Sequence, residues 1–107
     1  MNSKQIYEVA CFMRRLEEDH TVKITFENLE SINGLIYRGH NDKFIIIINI
    51  NLSYEKQIET IWHEAKHLCS HIMKPGDIRV FENEAIEFSK YATEISDEIL
   101  PMCRNAW

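Results

Sequence analysis

A chain of 107 residues, 45% of them hydrophobic and only two of them proline, holds material for one core rather than two, so a single domain over residues 1–107 is expected. The formal charge of −5 argues against broad attraction to nucleic acid or to an anionic membrane, because such binding needs clustered lysine and arginine. Cys11, Cys69 and Cys103 are odd in number and far apart with no CxxC pair, which argues against a disulfide framework or a cysteine-only metal site and points to a reducing cytoplasm.

The N-terminal segment carries charges throughout and lacks an apolar core with a small-residue cleavage site, so no secretory signal is expected there. Ile6, Val9, Ala10, Met13 and Leu16 recur at intervals of three and four and predict an amphipathic helix that covers a sheet. Val22, Ile24 and Phe26 alternate with Thr21, Lys23 and Thr25, the period-two pattern of a strand with one buried face. Asn33-Gly34 predicts a turn into a short strand at 35–37, and His40-Asn41-Asp42 predicts another turn. The β-branched run at 43–50 predicts a strand buried on both faces, and it is too short to cross a bilayer as a helix.

Ser53 is placed to cap the next helix, Glu55 suits its positive first turn, and Ile58, Ile61, Ala65, Leu68 and Ile72 form its apolar stripe. Lys74-Pro75-Gly76-Asp77 ends that helix. A last long helix follows, with its stripe through Phe81, Ala85, Phe88, Ala92 and Ile95 and with Pro101 as its far boundary. The order is helix, two or three strands, then two helices, so the expected class is α+β with a sheet of about three strands.

The chemistry lies in Trp62-His63-Glu64-Ala65-Lys66-His67. On a helix His63 and His67 project from one face a turn apart, so both imidazoles can bind one ion. Zinc suits them, because it accepts nitrogen and carboxylate ligands and leaves a fourth position for water. Glu64 is rotated by about 100° from His63, which places it beside the metal as the base that takes a proton from that water. A carboxylate from the last helix completes such a site, and Glu82, Glu84 and Glu87 are available. Spacing does not choose among them, and the apolar stripe mildly favours Glu84.

With an apolar strand ending in Asn49-Ile50-Asn51-Leu52-Ser53, the HExxH helix with a further histidine at His71, and an E-x-E-A-x-x-F-small segment at 82–89, the chain resembles the ImmA/IrrE family of small zinc-dependent metallopeptidases. The resemblance covers most of the chain in order. It implies a zincin-like minimal domain in which His63, His67 and Glu82 bind Zn2+ and Glu64 is the catalytic base. It also implies a protein substrate, a helix-turn-helix repressor of a phage or mobile element. Periodicity and resemblance therefore differ over the third ligand, and Glu82 stands as first choice with Glu84 as its competitor.

The chain departs from the family pattern at Ile86, where the family often has an Asn or Asp that orients a ligand histidine, and at Lys66, where glycine is usual. A clear Leu-Leu-Met-Pro segment is also missing, with Ile99-Leu100-Pro101 standing late in its place. These departures keep open a second reading, a non-catalytic metal-binding regulator that acts by binding a repressor or another protein. If the 44–50 strand lies at a sheet edge beside the metal helix, it can pair with an extended substrate; an ordinary core strand is the alternative.

His71 continues the His63–His67 line and is read as a transition-state hydrogen-bond donor or as a histidine near the helix end. Met73 stands where a three-histidine site would need its third imidazole, which excludes that subclass. Tyr54 and Tyr91 are candidates for polarising a scissile carbonyl, although packing is the commoner role of such residues. His20 and His40 are expected in solvated turns and Cys69 in the core. Trp107 is read as packing back or mediating association.

Overall fold

A computed structural model describes residues 3–70 and 76–99. Seven elements follow in order: α1 (Ser3–Glu18), β1 (Val22–Glu27), β2 (Gly34–Arg38), a short 3-10 turn (His40–Asp42), β3 (Phe44–Asn49), α2 (Tyr54–Ser70) and α3 (Ile78–Ile99). This is the expected α+β arrangement, with three helices and a three-stranded mixed sheet. Among the described residues, no helix is long and apolar enough to cross a membrane.

Local sequence accounts for the element ends. His20 adopts φ 60° after α1, and the Thr21 amide reaches back to the Leu16 carbonyl at 2.8 Å, which closes the helix as a left-handed residue at that position does. Asn41 and Asp42 take positive φ in the turn before β3, a conformation their short polar side chains tolerate. Ser53 Oγ accepts the Lys56 amide at 3.2 Å and its carbonyl accepts Gln57, so Ser53 caps α2 as its residue type predicts. Asp77 does the same for α3, accepting the Arg79 amide at 2.8 Å.

The sheet order is β1-β3-β2, with β1 parallel and β2 antiparallel to β3. Strand β3 is therefore central, so of the two placements left open for it the ordinary core strand holds and the free edge does not: β2 and β1 are the edges. Both-face burial of β3 is corrected as well. Ile46 and Ile48 are fully buried towards the helices, whereas Ile45 and Ile47, which alternate onto the other face, are only half-buried. A β-branched run suits a central strand even when one of its faces is uncovered, which is why composition alone overstated the burial.

Between sheet and helices lies one core, built from Ile6, Ala10 and Met13 of α1, Ile61, Trp62 and Ala65 of α2, Phe88 and Ala92 of α3, and the inward face of β3. Trp62 and Phe88 meet edge to face with ring centroids 5.9 Å apart. The Trp62 indole N–H donates to Ser96 Oγ at 2.8 Å, so the polar end of the largest core side chain is satisfied inside. These contacts join α2 to α3 and fix their rotation about each other. Cys11 and Cys69 pack half-buried against the core, and burial pushes the Cys69 thiol up to about 12 despite the opposing charge of Lys66, so it is an inert packing group.

One close approach positions the functional end of the molecule. Gly34 opens β2 opposite Ile48, and a Cβ there would stand 2.8 Å from Thr60 Cγ2 and 3.0 Å from the Ile47 carbonyl oxygen. Glycine thus lets the edge strand lie directly against α2, one turn before His63.

Candidate metal centre

His63 and His67 sit one turn apart on α2, their ring centroids 4.9 Å apart and their Nε2 atoms 3.3 Å apart. Glu82, on the second turn of α3, faces both: one carboxylate oxygen lies 2.8 Å from His63 Nε2 and the other 3.0 Å from His67 Nε2. Ligand atoms of the three residues all fall within 4.8 Å of one another. Two ligands bound at about 2.0–2.1 Å to one tetrahedral ion stand roughly 3.3 Å apart, so the observed spacings fit a single small cation. Two imidazoles and a carboxylate are also the donor set that suits zinc.

The structure brings Glu82, not Glu84, to the histidines, and the reason lies in two serines. Ala85, Phe88, Ser89, Ala92 and Ser96 form the buried face of α3. Ser89 and Ser96 turn that face away from Ile95, until Glu82 lies about 60° from its centre and Glu84 about 100° on the other side. An apolar stripe drawn without the serines points the opposite way. Buried small polar residues were the missed signal.

Glu64 lines the same cleft as His63 and Glu82, a cavity of about 410 Å³. Burial, and after it the negative charge of Glu82, pushes the Glu64 carboxyl up to about 7. In the metal-free cleft this carboxyl therefore holds its proton into the neutral range. Beyond the metal end the cleft runs between the start of β2, at Asn33 and Gly34, and the 86–90 stretch of α3.

The family profile of the IrrE N-terminal-like domain, Peptidase M78, matches residues 17–103. The chain belongs to this family. That supports a metallopeptidase-type function and a metal at the cluster just described. No curated protein and no solved structure matches the chain.

Two departures from the family pattern take physical form here. Ile86 lies on the cleft wall, partly exposed, and offers no hydrogen bond to a histidine. Lys66 places its ammonium 5.3 Å from the centroid of the Phe88 ring, a cation–π contact that gives a long side chain a seat where the family usually has glycine.

Among the remaining candidates, Tyr54 is 78% exposed and Tyr91 lies on the surface of α3; neither lines the cleft. His20 and His40 are exposed in their turns. His71, Met73, Pro101, Cys103 and Trp107 lie outside the described residues.

Asn49, which the sequence marks only as part of the motif that ends the apolar strand, shapes the cleft mouth. Asn49, buried at the end of β3, donates to the carbonyls of Glu30 and Ile32 at 3.1 and 2.9 Å and accepts the Asn51 amide at 3.0 Å. It thereby holds the loop that delivers Asn33 and Gly34. An asparagine in the final buried position of an apolar strand was the available signal.

Proposed function

We propose that the chain is a zinc-dependent endopeptidase in which His63, His67 and Glu82 hold the ion and Glu64 is the catalytic base. The convergence of the two Nε2 atoms and the Glu82 carboxylate in a cleft that also contains Glu64 carries this reading. Bound zinc supplies a Lewis acid that makes water a nucleophile near neutral pH. Glu64 takes the proton of the attacking water and passes it to the leaving amine. The half-buried histidines present Nε2 to the ion from a rigid helix, and the Trp62–Ser96 bond keeps α3, with Glu82, in register.

The substrate segment adds to the outer edge of β2, which starts at the cleft, instead of to β3. As the family resemblance implies, the substrate is a helix-turn-helix repressor of a mobile element, met in the cytoplasm. Coexpression with a repressor encoded beside the gene tests this: cleavage that Glu64→Gln abolishes supports it. Zinc-loaded protein that binds the repressor and leaves it intact favours instead a non-catalytic regulator, the reading that Ile86 supports by withholding an orienting side chain from the ligand histidines.

A further inference from the structure

We propose that Lys90 makes the cleft selective for a peptide carrying an acidic side chain two to four residues from the scissile bond, an inference that rests on the peptidase reading. Glu82, Ile86 and Lys90 succeed one another at four-residue intervals, on one face of α3, and all three line the cleft. Eight residues of helix place Lys90 about 12 Å from Glu82. An extended peptide advancing about 3.3 Å per residue covers that distance in three to four residues, and the reach of a lysine shortens it. Ile86, midway and 37% exposed, offers an apolar seat for a side chain nearer the cut.

Charge decides the preference. Lys56, the other lysine of the cleft, is committed to Glu59 at 3.0 Å. Glu64 and Glu82 cluster at the metal end, where a dication balances their two charges. Lys90 is exposed and has no carboxylate within ion-pair distance among the described residues. With metal bound it is the uncompensated charge of the cleft, so a basic side chain beside it is repelled and an acidic one attracted.

The test uses zinc-loaded Glu64→Gln protein and fluorescein-labelled ten-residue alanine–leucine peptides bearing one glutamate or one lysine, scanned through the positions. At the best position the glutamate peptide should bind about threefold tighter than its lysine counterpart, the size of an exposed ion pair. Lys90→Glu should reverse the order, Lys90→Gln should equalise the two, and raising the salt should erase the difference. Equal binding of both peptides, no binding of either, or a preference unchanged by Lys90→Glu overturns the inference. Zinc stoichiometry and cleavage by the protein with Glu64 intact report on the peptidase reading separately. A zinc-loaded enzyme whose cleavage sites in a proteome-derived peptide mixture show no acidic enrichment leaves that reading standing and removes this one.

Discussion

Glu82 places a carboxylate oxygen 2.8 Å from His63 Nε2, so two helices joined through residues 71–77 meet at a pair of ligand atoms. Native mass spectrometry should accordingly find one zinc per chain. His63→Ala, His67→Ala and Glu82→Ala should each lose it, while Glu64→Gln and Glu84→Ala keep it. Removing one of three protein ligands costs at least tenfold in affinity, given that even supporting residues around metal sites are worth about 10–100-fold. Loss of zinc on Glu84→Ala with retention on Glu82→Ala would reverse the ligand assignment.

Gly34→Ala should destabilise the fold by about 1–3 kcal/mol, because the new methyl group overlaps Thr60 Cγ2 and the Ile47 carbonyl in a packed layer. Thr60→Ser removes Cγ2 and keeps the hydroxyl, which donates to the Lys56 carbonyl at 2.8 Å. The double variant should therefore recover part of the loss, the Ile47 contact remaining. Denaturant unfolding of the four proteins gives the coupling. Strict additivity would mean that the strand does not lean on α2 at this point.

The sequence made the elements and the histidine-bearing face of α2 legible because periodicity and the HExxH spacing are local properties. Partner order in the sheet is not local: the run at 43–50 looks the same whether its strand is central or at an edge, and only the pairing with β1 and β2 decides. Helical periodicity by itself leaned towards Glu84 instead of Glu82 for a related reason. Hydrophobicity marks a buried face only when its residues are apolar, and α3 buries Ser89 and Ser96, of which Ser96 accepts the Trp62 indole from the neighbouring helix. The role of Asn49 was hidden because its partners are backbone carbonyls 17 and 19 residues earlier.

Asn49→Asp should cost about 2 kcal/mol although it changes shape very little. The carboxylate cannot donate to the Glu30 and Ile32 carbonyls, which would be left facing a negative charge. Amide exchange should accelerate at residues 30–34 before it does in α2, because the loop loses its tie while the helix core is untouched. Unchanged protection across 30–34 would show that the loop is held by other contacts.

Zinc affinity should rise with pH, and Glu64 should account for part of the slope. In the metal-free protein burial and the charge of Glu82 hold the Glu64 carboxyl at about 7, so at about pH 6 most of the chains carry its proton. A dication beside Glu64 favours the carboxylate, so metal uptake at that pH expels the proton, and mass action makes binding weaker as the solution becomes more acidic. The sign follows from a raised metal-free pKa: the linkage is present below about 7 and vanishes above it. Glu64→Gln has no proton to release there, so the slope of log Kd against pH near pH 6 should be shallower than in the unsubstituted protein by about one proton. Proton release measured by calorimetry in buffers of different ionisation enthalpy gives the same number independently. Parallel slopes for the two proteins would place Glu64 out of reach of the ion's charge, and with it out of reach of the water it is assigned to activate.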